Sequence, residues 1–177
     1  MRFYLTILFS ISFFALQAQH LLSESVGVYS GYLQLCPSGT KCDSIPFELS
    51  IQATKDPLRF NTKTSYLINN GQDNVKDYDL VLDTTYKDNN HYILDEKDGI
   101  LIQETRVTNT LYSVYSVEGN IFHVTTTYHK TFIDFELVVY NMSNPKNSQS
   151  LPDAENTVYQ VETFPFITVQ KGILYKK

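Results

Sequence analysis

The side chains that could act as acids, bases or metal ligands are scattered along this sequence. His123 and His129 share one face of a predicted strand, but their spacing places them roughly 20 Å apart, too far to bind one metal ion. Asp134 and Glu136 fall on the predicted facing strand, on a side that meets water. Motifs of serine hydrolases, zinc proteases and phosphate-binding loops do not occur. The sequence therefore predicts no catalytic residue, no metal site and no cofactor.

Two further motifs have a functional interpretation and a simpler one. Asp95, Glu96 and Asp98 in one turn could coordinate calcium together with backbone oxygens, but they lack the loop pattern of a calcium site. Solvated turn charges are the favoured interpretation. Asn141-Met142-Ser143 matches a glycosylation sequon, which is used only in a eukaryotic source.

The two cysteines, Cys36 and Cys42, flank a Pro-Ser-Gly-Thr-Lys segment that is typical of a turn. Five intervening residues do not fit a thioredoxin-like redox pair, which has two. The sequence predicts a structural Cys36–Cys42 disulfide, which stabilises by roughly 2 kcal/mol in the chain-entropy model. A redox or metal pair is the alternative.

The first 18 residues have the order of a secretory signal peptide: a positive start at Arg2, an apolar run from Phe3 to Leu16, and a small residue at Ala18. The predicted cleavage lies between Ala18 and Gln19. The apolar run is shorter than the roughly 20 residues of a spanning helix, although an uncleaved anchor is the alternative. The Phe-rich run and the Ala-Gln ending resemble the leaders of exported proteins from Bacteroidota-type bacteria. The predicted location is the periplasm or the extracellular space.

Cleavage of the 177-residue chain leaves residues 19–177, the size of one domain. The remainder carries 13 basic and 19 acidic side chains and has no second long apolar run. Because its lysines are scattered, nucleic acid is an unfavourable partner, and no further membrane span is predicted.

The remaining chain has the pattern of short antiparallel strands with turn residues between them. Residues 69–76 are predicted to be a loop with a short helical segment, and residues 141–156 a long polar loop. Pro165 is predicted to interrupt the last strand pattern, and Lys97-Asp98-Gly99 and Glu118-Gly119 to form turns. The predicted strands span residues 26–35, 45–51, 78–82, 91–94, 100–102, 111–117, 120–130, 132–141 and 157–170.

One hairpin has a register that the sequence specifies. With Lys130-Thr131 as its turn, nearly all apolar side chains of both strands fall on one face and most polar ones on the other, and a slip by one residue destroys this sorting. The predicted pairs on the apolar face are Phe122–Val139, Val124–Leu137, Thr126–Phe135 and Tyr128–Ile133.

About eight to ten such strands must close into a barrel or stack as a sandwich, and their sequential order favours an antiparallel up-and-down β-barrel. In length, leader, strand count and first strand, the chain resembles the calycins, the lipocalin-type barrels. Lipocalins begin that strand with Gly-x-Trp, and this chain has Gly27-Val28-Tyr29. The chain has no tryptophan, and the arginine that stacks on it in lipocalins has no evident counterpart, since Arg59 and Arg106 are the arginines after the leader.

The resemblance implies an interior cavity that takes a small apolar molecule. The inward residues of the hairpin are then the predicted ligand contacts, with four tyrosines adding hydroxyls at the rim. The alternative is that the apolar residues simply fill a core. The predicted contacts are Phe122, Val124, Tyr128, Ile133, Phe135, Leu137 and Val139, and the rim tyrosines are Tyr29, Tyr32, Tyr112 and Tyr115.

Three functions follow from these patterns. The first is binding of a small hydrophobic ligand inside the barrel. The second is an envelope or secreted interaction module that meets another protein through a strand face or the polar loop. The third is an enzyme whose site forms only in the fold, with Glu136 or Asp95 and a tyrosine as acid or base. A closed barrel with an empty apolar cavity favours the first function, and a filled core with an exposed apolar patch favours the second. A cleft that contains carboxylates of perturbed pKa favours the third.

Overall fold

The computed structural model describes residues 20–67 and 74–177. The predicted leader and its cleavage site between Ala18 and Gln19 lie outside the described residues. Within the described part of the chain, no helix is long and apolar enough to cross a membrane. The elements are α1 (His20–Glu24), β1 (Gly27–Pro37), β2 (Asp43–Ala53), β3 (Arg59–Tyr66), β4 (Asn74–Leu82), β5 (His91–Asp95), β6 (Leu101–Val107), β7 (Thr110–Val117), β8 (Asn120–Tyr128), β9 (Phe132–Asn141), β10 (Lys146–Gln149), β11 (Gln160–Thr163) and β12 (Phe166–Lys176).

Ten of these strands form a closed antiparallel barrel, in the order β1-β12-β9-β8-β7-β6-β5-β4-β3-β2. Strands β1 to β8 each pair with the next strand along the chain, and β12 closes the barrel between β9 and β1. Closure removes the exposed strand edges that an open sheet would present. The predicted all-β barrel is confirmed, and the sandwich alternative is wrong.

The predicted register of the β8–β9 hairpin is confirmed at every pair. Phe122 lies opposite Val139 and Tyr128 opposite Ile133, with the intermediate pairs in step. The His129 N–H donates to the Phe132 carbonyl at 2.9 Å, which closes the predicted two-residue turn. The pairing therefore follows the apolar alternation that the two strands share.

Both predicted glycine turns are confirmed. Gly99 has a φ of 103° in the turn between β5 and β6, and Gly119 has a φ of 76° between β7 and β8. Residues with a Cβ rarely adopt such values, so glycine suits these positions. Cys36 and Cys42 form the predicted disulfide, which bridges the β1–β2 turn.

Several strand boundaries differ from the prediction. β3 was not predicted, because its sequence, Arg-Phe-Asn-Thr-Lys-Thr-Ser-Tyr, is mostly polar. β4 begins at Asn74, inside the predicted 69–76 loop, because Asn74 pairs with Tyr66. The predicted polar loop contains β10, which forms a two-stranded sheet with β11. Pro165 does separate two strands, and β12 runs on to Lys176.

One end of the barrel is filled and covered by α1. Leu22 of α1 is buried in the core, and the Tyr29 hydroxyl donates to the Ser25 carbonyl at 2.9 Å. The Lys176 ammonium lies 5.6 Å from the centre of the Tyr29 ring, within range of a cation–π interaction, and donates to the Glu24 carbonyl at 3.3 Å. Lys176 is therefore part of the closed end of the barrel.

Strands β1 and β12 approach closely at two glycines, Gly31 and Gly172. A Cβ on Gly172 would lie 2.3 Å from the Tyr32 carbonyl oxygen, and one on Gly31 would lie 2.4 Å from the Ile173 carbonyl oxygen. The regular β1–β12 pairing skips the residues between the pairs Gly31–Leu174 and Gln34–Lys171. The first and last strands therefore meet at a place where a side chain does not fit.

Candidate functional site

The barrel contains an interior cavity of about 170 Å³ on the side away from α1. Strands β1 and β12 contribute none of its lining residues. The Phe47 ring lies edge-on to the Tyr66 ring, with centroids 4.9 Å apart, and stacks with Phe135 at 6.0 Å. Tyr66 also reaches across the interior, where its hydroxyl donates to Gln170 Oε1 at 3.3 Å. The lining residues come from β2 to β9 and from the β5–β6 turn.

The lining mixes rings and aliphatic side chains with hydroxyl and carboxyl groups, so the cavity is not purely apolar. The lining residues are Phe47, Leu49, Thr62, Thr64, Tyr66, Tyr78, Leu80, Leu94, Glu96, Glu104, Ser113, Tyr115, Val124, Thr126, Tyr128, Phe135 and Leu137.

The structure divides the seven predicted ligand contacts into two groups. Val124, Tyr128, Phe135 and Leu137 line the cavity. The other three are absent from its lining. Ile133 and Val139 are buried, and Phe122 stacks on Tyr115 with ring centroids 5.1 Å apart.

The four tyrosines predicted at the cavity rim lie in different parts of the barrel. Tyr115 lines the cavity, whereas Tyr29 is fully buried at the closed end. The prediction that Tyr32 and Tyr112 lie at the rim of the cavity is wrong, because both side chains point out of the barrel. Tyr32 is 64 % exposed and lines a shallow outer groove beside Ile173, and Tyr112 is 41 % exposed. Side chains alternate along a strand, so an inward Tyr29 requires an outward Tyr32.

Glu104 of β6 is the group that sequence reasoning missed. It lies opposite Tyr92 in the barrel wall and faces the cavity. Burial raises the pKa of its carboxyl to about 7. The Glu104 side chain is half-buried, which is consistent with its position on the cavity wall. Among the described residues, no group forms a hydrogen bond with this carboxyl.

The β6 sequence does not indicate that Glu104 faces the interior of the barrel. Leu101 and Val107 are 63 % and 55 % exposed, whereas Ile102 is buried and Glu104 faces inward. The apolar residues at the strand ends thus point outward, contrary to the usual pattern. The prediction ended this strand at Ile102, so Glu104 was never assigned to a face. One signal was available in the sequence. Side chains two residues apart on a strand face the same side, so a strand that continues past Ile102 places Glu104 on the same face as Ile102.

Tyrosine hydroxyls surround the cavity. Burial raises the pKa of Tyr66, Tyr78, Tyr115 and Tyr128, and the nearby Glu104 charge raises the pKa of Tyr115 and Tyr128 further. These groups therefore remain neutral over the physiological pH range and can both donate and accept hydrogen bonds. Within the described structure, the hydroxyls of Tyr78, Tyr115 and Tyr128 have no hydrogen-bond partner in the protein.

The acidic turn is not arranged to bind calcium. Asp95 accepts a hydrogen bond from the Lys97 N–H at 2.8 Å, and Asp98 accepts one from the Ile100 N–H at 3.0 Å. Glu96 instead faces the cavity. No cluster of metal-binding side chains occurs among the residues that the structure describes.

The other candidate acids and bases lie on the outside of the barrel. Asp95 is 3.9 Å from Arg59, in a surface ion-pair network centred on Asp77 and Asp79. Glu136 is exposed and lies opposite Thr125. The His129 ring stacks on Phe132 with centroids 4.1 Å apart, whereas His123 lines a separate outer groove. The structure does not bring these residues into a common cleft.

The barrel has a structural relative. The S-type phycobiliprotein lyase CPES from Guillardia theta is similar in structure, with a TM-score of 0.59 over 90 % of this chain and 92 % of that chain. The sequences are 7 % identical, so the similarity concerns the fold and is consistent with the calycin-like architecture. No protein-family model matches the chain. No curated protein matches it in sequence.

Neither the fold nor its structural relative supports an envelope protein as a partner, and that alternative stays a prediction of the sequence. Among the described residues, the outer candidates for an enzyme, Asp95 and Glu136, do not form an acid–base pair. Inside the cavity, Glu104 has a raised pKa and lies among tyrosine hydroxyls, which is the feature that the enzyme hypothesis expects, so that hypothesis stays a prediction.

Proposed function

We propose that this protein is an exported β-barrel protein that binds a small, mainly hydrophobic molecule inside its barrel. The observation that supports this proposal is the cavity of about 170 Å³. An engineered protein cavity of about 150 Å³ holds a benzene molecule, so a ligand built on one ring fits this volume. The rings of Phe47, Phe135 and Tyr128 provide apolar contacts, and the unpartnered hydroxyls provide hydrogen bonds that orient the ligand.

Filling the cavity is expected to abolish binding. Ser113 is 5 % exposed and lines the cavity, so Ser113→Leu places a larger apolar side chain in the ligand volume. We expect titration with benzyl alcohol, followed by two-dimensional NMR, to shift the amides of the lining residues in the wild type. In Ser113→Leu the affinity should fall by about tenfold or more.

Ser116→Leu is the matched control, because Ser116 is exposed on the same strand. It should bind the probe as the wild type does, and thermal unfolding would verify that both variants are folded. Wild-type spectra without a saturable shift of the lining amides would contradict the proposed function. Equal loss of binding in both variants would contradict the assignment to the interior cavity.

The proposed mature domain comprises residues 19–177 and lies in the periplasm or outside the cell. The leader pattern supports this location, and the Cys36–Cys42 disulfide suits an oxidising compartment. We expect the intact mass of the protein from its host to correspond to a chain beginning at Gln19, and to increase by two hydrogens on reduction. A chain that retains residues 1–18 would contradict the predicted cleavage.

A further inference from the structure

The cavity lining has a charge of one sign. Glu96 and Glu104 carry its carboxyl groups, and none of the lining residues that the structure describes is a lysine, arginine or histidine. Arg106 lies two residues after Glu104 on β6, but it is not among the lining residues, and its guanidinium donates to Asn90 Oδ1 at 2.8 Å. An anionic ligand would meet two carboxyl groups and no compensating cation in the part of the cavity wall that the structure describes.

The Glu104 carboxyl has no hydrogen-bond partner among the described residues. Burying a carboxylate without a hydrogen bond or a counter-charge is costly, and a protein normally pairs such a group. The carboxyl faces the cavity, so a molecule bound there can supply the missing partner. An ammonium group supplies both the opposite charge and N–H donors, and such charge-assisted hydrogen bonds are stronger than neutral ones.

The rings of the wall suit the same chemistry. Tyr66, Tyr78, Tyr115 and Tyr128 line the cavity together with two phenylalanines. The faces of such rings attract cations, and this attraction is larger at a site shielded from water. The aromatic wall can thus contact both the apolar body of a ligand and a cationic group attached to it.

We propose that the ligand is a small organic amine, with an apolar body of about one ring, whose ammonium group pairs with Glu104. This inference rests on the proposed function and names the ligand class for the same cavity. Glu104 is the anchoring residue, and the neighbouring tyrosine hydroxyls accept the remaining N–H donors.

Binding of an amine should depend on pH. Protonation of Glu104 removes the counter-charge, so affinity is expected to fall as the pH drops below about 7. The tyrosines stay neutral through this range because burial raises their pKa. The titratable and charged groups around Glu104 are Tyr92 on β5, Arg106 on β6, Tyr115 on β7, Tyr128 on β8, and Glu96 in the β5–β6 turn.

The test compares benzylamine with benzyl alcohol, which have nearly the same shape and differ in charge. Affinities are measured by isothermal titration at about pH 8, where Glu104 is ionised and the amine is protonated. We expect the wild type to prefer benzylamine by about tenfold, and Glu104→Gln to lose this preference while it still binds the alcohol. Glu136→Gln removes an exposed carboxylate from the outer face and should behave as the wild type.

The outcomes separate the two proposals. Equal affinities of the wild type for both probes, or an amine preference that survives in Glu104→Gln, would overturn the amine assignment and leave the ligand-binding function intact. Absence of binding for both probes in the folded wild type would overturn the proposed function and the amine assignment with it.

Discussion

Glu104→Gln is expected to make the protein more stable at about pH 8 and to leave its stability nearly unchanged at about pH 4. Burial raises the pKa of the Glu104 carboxyl from its ordinary value of 4.5 to about 7 in the folded protein. The folded state therefore retains the proton over a range in which the unfolded chain has lost it. At 1.36 kcal/mol for each unit of pKa, the ionised carboxylate costs about 3 kcal/mol of folding free energy.

The sign of this pH dependence of stability follows from proton linkage. Between about pH 4.5 and pH 7 the folded state binds more protons than the unfolded state, so the stability of the wild type falls as the pH rises. Below this window both states are protonated and the penalty is absent, and above it the penalty is complete. Glutamine has nearly the same shape and no charge, so it removes this part of the pH dependence.

Urea unfolding over this pH range measures the effect. The difference in unfolding free energy between Glu104→Gln and the wild type should grow with pH and level off above about pH 7. Glu136→Gln should show no such growth, because Glu136 is exposed on the outer face. A difference between Glu104→Gln and the wild type that is independent of pH would show that the carboxyl is solvated, and would contradict the buried assignment.

Gly172→Ala is expected to destabilise the barrel by about 2–3 kcal/mol. The added Cβ would lie 2.3 Å from the Tyr32 carbonyl oxygen and 3.0 Å from the Leu33 side chain. The first of these contacts is with the backbone of the neighbouring strand, so it is relieved only if β1 and β12 move apart. That movement weakens the pairing that closes the barrel.

Lys171→Ala is the matched control, because Lys171 precedes Gly172 on the same strand and is exposed. Its free energy of unfolding should stay within about 0.5 kcal/mol of the wild type, as for most surface substitutions. Thermal or urea unfolding of both variants provides the comparison. A Gly172→Ala variant as stable as the wild type would show that β1 and β12 are less tightly opposed than the structure has them.

Features that depend on neighbouring segments could be predicted from the sequence. Tyr128 and Ile133 were paired correctly, because one register of adjacent strands buries the apolar residues of both. Gly99 and Gly119 were assigned to turns because glycine readily adopts positive φ. The Cys36–Cys42 disulfide was predictable because its short intervening segment has the composition of a turn.

The cavity required the tertiary structure. β3 is polar and becomes a strand because it pairs with β2 and β4, so its own sequence carries little signal. The β6 alternation points Leu101 outward and Glu104 inward, a choice that the partner strands impose. Of the seven predicted contacts, four line the cavity, since the volume depends on which rings from distant strands meet.

The sequence by itself determined the all-β class, the disulfide, the hairpin register and the turns, because each depends on residues close together in the chain. Only the tertiary structure decided the closure of β12 against β1, the contact of Lys176 with Tyr29, and the position of Glu104 in the cavity. These contacts join residues far apart in the chain, and local patterns do not specify them. They arise because closure of the barrel fixes which face of every strand points inward.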